Sequence, residues 1–141
     1  MTPALAISRP LYDEMVEHAL TEAPNECCGI VAAADGIAVR VFRARNRHAS
    51  PLRYELEGAD QIRIQQEMDT RGWDYGAIYH SHTRSDPIPS ITDINMAFVP
   101  NIGPIWPGTV YLIVGLAGGE PQVRAWRIES STPEEVELAI V

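Results

Sequence analysis

His80-Ser-His-Thr-Arg-Ser-Asp-Pro-Ile-Pro-Ser-Ile-Thr-Asp93 follows a short apolar run, residues 75–79, that is typical of a buried strand. His80 and His82 are two residues apart, so in an extended chain their imidazoles point to the same side. Asp93 supplies a carboxylate eleven residues after His82, beyond a segment that contains two prolines. Two histidines and one aspartate give three protein ligands and leave a fourth position open, which is the stoichiometry of a catalytic zinc site.

Ser90 and Asp93 also have a local interpretation. Ser90-x-x-Asp93 resembles a capping box, and it predicts a helix over Ser90–Phe98. The start of a helix is a rigid place to hold both a hydroxyl and a carboxylate, so capping and catalysis are compatible here. An isolated His-x-His, by contrast, is frequently part of an ordinary polar loop. The rest of the chain has to decide between these two interpretations.

A second motif lies far upstream, at Pro24-Asn-Glu26-Cys-Cys28-Gly-Ile-Val31. The two motifs together resemble the JAMM (MPN+) metallopeptidases, in which a glutamate just before a Cys-Gly, at the start of a strand, completes the catalytic set. The resemblance covers about residues 8–128, and its other matches are Asn46, Ser50-Pro51, Tyr54 and Ala77-Ile78-Tyr79. Within this family the chain is most similar to bacterial hydrolases that release cysteine from a sulfur-carrier protein.

The resemblance implies a fold and a set of site residues. It implies one MPN domain over residues 1–141, of the α/β (α+β) class, with a mixed sheet flanked by helices and a layout like that of cytidine deaminases. It also implies one Zn²⁺ ion held by His80, His82 and Asp93. Glu26 is then the general base and acid, and Ser90 donates a hydrogen bond to the oxyanion.

The implied substrate is the C-terminal tail of a ubiquitin-like sulfur-carrier protein. Hydrolysis of the amide bond after its Gly-Gly would release cysteine. Such a tail can enter a narrow groove as an added strand, because glycine is small enough to lie beside a metal ion. Two alternatives stay open: a peptidase that processes a carrier precursor or removes ubiquitin-like proteins from lysines, and a metal-free MPN scaffold that only binds partners. The sequence also leaves open which carrier is bound and whether the chain forms a homodimer.

Composition excludes other classes of function. The net charge is −8, and all 11 basic residues are arginines. An acidic chain of this kind is a poor match for nucleic acid, which attracts basic surfaces. No apolar run approaches the roughly 20 residues of a membrane span. Residues 1–8 lack a basic segment followed by a long apolar one, so we expect no signal peptide and a cytoplasmic protein.

Cys27 and Cys28 are adjacent and therefore do not connect distant segments or form a CxxC zinc site. They are interpreted either as small buried residues at the start of a strand or, for Cys28, as a neighbour of the metal. Cys28 is not expected to be a nucleophile, because the histidines at the site are predicted to bind metal. Ser81, between the two histidine ligands, is expected to point the other way and to pack or form supporting hydrogen bonds.

Several further residues have two interpretations each. Arg43, Arg45 and Arg47 alternate, so they form either a solvated strand face or a basic strip for an acidic partner. Arg84 is either solvated or able to reach a substrate carboxylate. His18 is expected to be a structural cation near a helix end and His48 a surface residue. The Pro/Gly-rich segment Val99–Gly108 is either a wall or lid over the site or a solvent loop anchored by Trp106.

The remaining pattern predicts the order of elements. It consists of an edge strand Ala4–Ile7, a helix that begins after Ser8 and ends at Pro24, a hairpin of Cys28–Ala34 and Ile37–Arg45 around Asp35-Gly36, a strand Arg53–Leu56, a helix Glu57–Trp73, and strands Tyr75–His80, Thr109–Gly115 and Gln122–Ile128. The tail Thr132–Val141 is ambiguous.

Overall fold

Residues 2–141, the part of the chain that the computed structural model describes, form three helices and ten strands. Met1, where the predicted domain begins, lies outside the described residues. The helices are α1 (Arg9–Glu22), α2 (Gly58–Arg71) and α3 (Ile91–Ala97). The strands are β1 (Leu5–Ile7), β2 (Cys28–Ala34), β3 (Ile37–Ala44), β4 (Asp74–His82), β5 (Phe98–Val99), β6 (Gly103–Pro104), β7 (Val110–Gly115), β8 (Gln122–Arg127), β9 (Glu134–Val136) and β10 (Leu138–Ile140).

Eight of these strands form one mixed sheet in the order β10-β1-β3-β2-β4-β7-β8-β9. The hairpin β2–β3 is antiparallel, as is the pair β2–β4, whereas β4 runs parallel to β7. The short strands β5 and β6 form a separate two-stranded sheet. The three helices flank the large sheet, and this arrangement confirms the predicted α+β class with a mixed sheet.

The sheet separates two apolar layers. On one face, Met15 and Ala19 of α1 pack against residues such as Val31 and Leu112. On the other face, Ile64 and Met68 of α2 pack against Ile30, Ile78 and Ile113. Because alternate residues of a strand point to opposite faces, the continuous apolar runs of β2 and β7 are buried on both sides, as their sequences predict.

β1 is not the edge strand that its sequence suggested. It is parallel to β3 on one side and to β10 on the other. β10 belongs to the C-terminal tail, whose preceding strand β9 pairs with β8 at the opposite end of the sheet. Only Glu137 separates β9 from β10, although they pair with strands at opposite ends of the sheet. The sheet must therefore curl strongly to bring its two ends together. Three-residue strands such as β9 (Glu-Glu-Val) and β10 (Leu-Ala-Ile) are too short to be recognised in sequence.

The predicted strand Arg53–Leu56 is reduced to a single bridge between Leu56 and Asn46. The side chain of Asn46 forms hydrogen bonds with backbone groups that would otherwise pair with a neighbouring strand. Its amide donates to the carbonyl of Arg53 at 3.0 Å, and its oxygen accepts from the N–H of Glu55 at 3.1 Å. Side-chain bonds of this kind compete with a regular ladder and leave a structured loop instead.

The three alternating arginines are exposed and ion-paired within the chain. Arg43 lies 3.7 Å from Glu14 of α1, and Arg45 forms a two-pronged contact with the buried carboxylate of Asp60, at 3.0 and 3.1 Å. Arg47 lies 3.4 Å from Glu55. An acidic partner would therefore have to compete with these exposed ion pairs, which are weak in water.

His18 is structural, as predicted, but it is not a cation. Its ring is buried, and Nδ1 lies 2.7 Å from the hydroxyl of Tyr79. Burial, with a smaller contribution from Arg43, lowers the pKa of His18 to about 4. The ring is therefore neutral at physiological pH and joins α1 to β4 by a hydrogen bond rather than by a charge at the helix end.

In residues 2–141, no helix combines the length and the apolar surface needed to cross a bilayer.

Gly29 allows β2, β3 and β4 to come together. A Cβ at this position would lie 2.3 Å from the carbonyl oxygen of Phe42 and 2.3 Å from the ring of Tyr79. Since neither the strand nor the buried ring has room to shift, we expect Gly29→Ala to destabilise the fold by about 3 kcal/mol or more. Urea unfolding measures this effect. Gly58→Ala is the matched control, because an added Cβ there has no atom within 4 Å, and an equal loss in both variants would contradict the prediction.

Candidate active site

His80, His82 and Asp93 meet at one point on the α2 and α3 face of the sheet. Nε2 of His80 lies 3.1 Å from Nε2 of His82, and Oδ2 of Asp93 lies 3.1 Å and 3.0 Å from these two nitrogens. The three residues are buried, and they form a group able to hold a metal ion. Ligand atoms of a tetrahedral zinc site, with bonds of about 2.0–2.2 Å, stand about 3.3 Å apart. The triangle is therefore close to the size that such an ion requires.

Two rigid elements hold this triangle. His80 and His82 occupy the end of β4, which is paired with β2 on one side and β7 on the other. Asp93 lies in the first turn of α3, where Ser90 is the N-cap. The N–H of Asp93 donates to Oγ of Ser90 at 3.0 Å, and the N–H of Ser90 donates to Oδ2 of Asp93 at 2.9 Å. The predicted capping box is thus present, and it aims the carboxylate at the histidines.

The protonation states of His80 and Asp93 suit metal binding. Burial lowers the pKa of His80, which therefore stays neutral. Burial by itself raises the pKa of Asp93, but the two imidazoles and the N–H of Ser90 outweigh it and hold that pKa below its ordinary value. A neutral imidazole and an ionised carboxylate are the forms that coordinate a metal. Burial lowers the pKa of His82, but its bonds with Asp93 and with the carbonyl of Asp86 outweigh burial and raise it. The donor set therefore fits a cation in size, and a metal bound here would displace any proton on His82.

The two imidazoles are held in different ways. Nδ1 of His82 donates to the carbonyl of Asp86 at 2.8 Å, so in the neutral ring Nε2 carries the lone pair that faces the triangle. His80 is stacked on Tyr54, with ring centroids 4.1 Å apart and planes at 18°. Sequence reasoning did not single out Tyr54, although it lies among the residues that match the JAMM pattern.

The loop between His82 and α3 is fixed as well. Its Pro87 packs so closely on Gly115 that a Cβ there would lie 2.6 Å from the proline ring. The indole N–H of Trp126 donates to the carbonyl of Pro87 at 3.0 Å. The ligand loop is therefore anchored to both β7 and β8, and this connection, which is distant in sequence, was not predicted.

Glu26 lies two residues before β2 and on the side of the sheet where His82 and Asp93 act on its carboxyl group. Cys28 pairs with His80, and continuing this antiparallel register places Glu26 opposite His82. Reciprocal bonds extend the pairing, since the N–H of Cys27 donates to Oγ of Ser81 at 2.8 Å and the N–H of Ser81 donates to the carbonyl of Cys27 at 3.2 Å. Ser81 thus points away from the ligands, as predicted, and fixes the residue next to Glu26.

The carboxyl group of Glu26 is suited to accept a proton. It is buried, and in residues 2–141 its Oε1 has no hydrogen-bond partner. Burial raises its pKa to about 7, against the opposing effect of His82 and with a further rise from Asp93. A pKa near the working pH allows a group both to accept and to return a proton. Its backbone is held by the amide of Asn46, which donates to the Glu26 carbonyl at 3.1 Å.

The other predicted site residues lie outside the triangle. Cys27 and Cys28 are buried free thiols, and burial raises the pKa of Cys27 to about 12 and that of Cys28 further still, so both are inert thiols at neutral pH. His48 is half-buried and lies 3.1 Å from Glu55 rather than near the ligands. In Val99–Gly108, β6 folds back on β5, and Trp106 packs against Tyr75 with centroids 5.1 Å apart.

The family follows from comparison with known proteins. Residues 8–129 match the family described as prokaryotic homologs of the JAB domain. The chain belongs to this family and is a hydrolase of the JAMM type, as the two motifs predicted. A crystal structure of a JAB1/MPN domain protein from Archaeoglobus fulgidus has the same fold, with a TM-score of 0.63, 19% identity, and coverage of 97% of each chain.

Two characterised relatives resemble the chain in sequence. It is 33% identical over 99 residues to the CysO-cysteine peptidase of Mycobacterium tuberculosis, which covers 69% of this chain and 68% of the relative. It is 36% identical over 117 residues to the desampylase of Haloferax volcanii, which covers 77% of this chain and 78% of the relative.

Proposed function

We propose that His80, His82 and Asp93 hold one zinc ion and that Glu26 and Ser90 carry out catalysis with it. The observation that carries this proposal is the convergence of the three ligand atoms within 3.1 Å of one another, on the face to which Glu26 also belongs. Imidazole and carboxylate ligands, three in number, suit a catalytic zinc with an open position. Three buried side chains whose ligand atoms converge in this way favour a metal site over a metal-free scaffold.

A zinc ion held by His80, His82 and Asp93 would supply Lewis acidity and make water a nucleophile near neutral pH. Glu26 takes the proton from the attacking water and then returns it to the nitrogen of the leaving amine. Since the carboxylate of Asp93 is committed to the metal site and its capping bonds, Glu26 is the free base. Its buried position keeps bulk water from competing for this proton.

Ser90 is placed to donate a hydrogen bond to the oxyanion. Its oxygen already accepts from the N–H of Asp93, so its own hydroxyl hydrogen is free for a second partner. Removing one such donor lowers kcat by roughly 10²–10³-fold. Ser90 therefore combines a structural bond with a catalytic one.

We expect Ser90→Ala to lower kcat by about 100-fold and to reduce stability by about 1 kcal/mol, because the helix cap is also lost. Ser90→Thr keeps the hydroxyl and is the control, with near-normal values expected for both. Steady-state kinetics and urea unfolding give the two numbers. A loss of stability in Ser90→Ala without a loss of kcat would restrict Ser90 to capping.

The proposed substrate is a ubiquitin-like sulfur-carrier protein that carries cysteine on its C-terminal glycine. Hydrolysis of the Gly–Cys amide then releases cysteine and the free carrier carboxylate. Similarity to the CysO-cysteine peptidase supports this leaving group. The desampylase similarity favours a second candidate, removal of a ubiquitin-like protein from a lysine side chain, through the same chemistry at an isopeptide bond.

A groove beside the ligands offers space for an extended tail. The bridge of Leu56 with Asn46 is flanked by bonds from Arg47 to Glu55, at 2.8 Å, and from Glu57 to Arg45, at 3.0 Å. In this pattern the N–H and carbonyl of Leu56 point to the opposite side, where an added strand would pair with them. A cavity of about 160 Å³ lies at this edge, lined by residues that include Tyr54, Leu56, Met96 and Trp106.

The test compares two substrates of the zinc-loaded protein. One is a carrier with cysteine on its terminal glycine, and the other is the same carrier joined to a lysine side chain. Mass spectrometry identifies the products. Release of cysteine at a much higher rate than release of lysine supports the first candidate, whereas the reverse order favours the isopeptidase. Failure to cleave either substrate would contradict the proposed substrate class.

A further inference from the structure

Three arginines stand apart from the others. Eight of the eleven lie within 4.0 Å of a carboxylate oxygen in residues 2–141, and Arg53, Arg84 and Arg127 do not. The chain has 19 acidic residues, so acidic neighbours are abundant. An unpaired arginine is therefore the exception in this molecule, and two of the three exceptions flank the segment that carries Glu26.

Arg84 lies on one side of this segment. It follows His82 by two residues in the loop that His82 itself anchors, through the 2.8 Å bond to the carbonyl of Asp86. The neighbouring Thr83 donates its hydroxyl to the carbonyl of Pro24 at 3.1 Å. The exposed Arg84 is thus attached to a fixed backbone between a metal ligand and the residues that lead into Glu26.

Arg53 lies on the other side. The amide of Asn46 donates both to the carbonyl of Glu26, at 3.1 Å, and to the carbonyl of Arg53, at 3.0 Å. One side chain therefore joins the backbones of these two residues. The next residue, Tyr54, is buried and stacks on His80, so the position of Arg53 is also fixed relative to the metal ligands.

In the proposed reaction, on which this inference rests, residues beside Glu26 lie near the leaving group. Because Glu26 returns the proton to the leaving nitrogen, the leaving group emerges on its side of the site. When the leaving group is a single amino acid, its α-carboxylate is two bonds from that nitrogen. In a lysine isopeptide the leaving nitrogen is at the far end of the side chain, and no carboxylate is nearby.

We propose that Arg53 and Arg84 bind the α-carboxylate of the leaving amino acid and so determine specificity. A guanidinium matches a carboxylate with two parallel hydrogen bonds, and neither arginine has to give up an internal ion pair to form them. The two residues favour a carrier whose terminal glycine bears one amino acid with a free carboxylate. They disfavour carriers attached to protein lysines.

Two adducts that differ only in charge test this proposal. One carrier ends in Gly-Gly-Cys with a free carboxylate, and the other ends in Gly-Gly-Cys carboxamide. The zinc-loaded protein is expected to cleave the acid with a kcat/KM about tenfold higher than that of the amide, mainly through a lower KM. Arg53→Gln and Arg84→Gln are each expected to reduce this preference severalfold, because they slow cleavage of the acid adduct and leave cleavage of the amide adduct unchanged. Arg84→Lys is expected to retain part of the preference.

Arg127→Gln is the matched control, because it removes an equally unpaired charge from β8, away from the site. It is expected to leave the acid-to-amide ratio unchanged. Equal cleavage of the two adducts by the unaltered protein would overturn the proposal. So would equal slowing of both adducts in Arg53→Gln and Arg84→Gln, since this result would indicate contact with the body of the carrier. If neither adduct is cleaved, the proposed substrate fails and this specificity assignment fails with it.

Discussion

His82→Ala is expected to release the metal and to abolish hydrolysis. The substitution removes one of three converging ligand atoms and leaves Oδ2 of Asp93 and Nε2 of His80 as the remaining pair. Loss of an outer-shell partner typically costs 10–100-fold in metal affinity, so loss of a direct ligand is expected to cost more than about 100-fold. Elemental analysis of the dialysed protein is expected to show about one zinc in the unaltered chain and almost none in the variant.

His48→Ala is the control for this substitution. His48 is also partly buried, but it contacts Glu55 rather than the ligand triangle. It is expected to keep its metal and its activity. Circular dichroism of both variants verifies that the fold is intact. Full metal content in a folded His82→Ala protein would contradict the ligand assignment.

Glu26→Gln is expected to keep the metal and lose turnover. The change is nearly isosteric, and it leaves the ligand triangle and the bond from Asn46 to the Glu26 backbone in place. Loss of a general base lowers kcat by roughly 10²–10⁴-fold. Glu22→Gln removes a carboxylate from the end of the neighbouring helix and is the matched control, with normal kcat expected. Normal turnover in a metal-loaded Glu26→Gln protein would exclude Glu26 as the base.

The same substitution is expected to stabilise the metal-free protein at alkaline pH. Burial raises the pKa of Glu26 from 4.5 to about 7, so the folded chain holds this proton more tightly than the unfolded chain does. The stabilisation from protonation is fully present below pH 4.5 and is lost as the pH rises through about 7. One pKa unit corresponds to 1.36 kcal/mol, which gives about 3 kcal/mol.

Glutamine remains neutral and therefore avoids this loss. Urea unfolding with a chelator present is expected to show Glu26→Gln about 3 kcal/mol more stable than the unaltered protein at pH 8, and equal to it at pH 4. Glu22→Gln, at an exposed position in the last turn of α1, is again the control for the removal of a carboxylate. A constant difference between the two proteins across this pH range would show that the Glu26 carboxyl is not desolvated by the fold.

Local patterns predicted the two halves of the ligand triangle, and the family resemblance joined them. The two-residue spacing of His80 and His82 fixes a common side on any strand, and Ser90-x-x-Asp93 fixes a helix start. Both arrangements depend on residues close in sequence, so composition and spacing determine them. The elements β2, β4 and β7 were predictable for the same reason, because continuous apolar runs indicate strands buried on both faces.

Features that depend on distant pairing were not predictable in this way. The register that sets Glu26 opposite His82 involves residues more than fifty positions apart, and only the family resemblance suggested it. No local pattern predicts that Tyr54 stacks on His80 or that Trp126 donates to Pro87, because the partners are far apart in sequence. The arginines of the supposed basic strip alternated as expected, but their acidic partners came from other segments of the chain.

The C-terminal tail has a consequence for how the molecule opens. Residues 134–136 bind β8 and residues 138–140 bind β1, so one seven-residue segment closes the two ends of the sheet together. Detachment of this segment would expose both β1 and β8 in a single event. Amide hydrogens of these two strands, more than a hundred positions apart in the chain, should then exchange with solvent at a common rate.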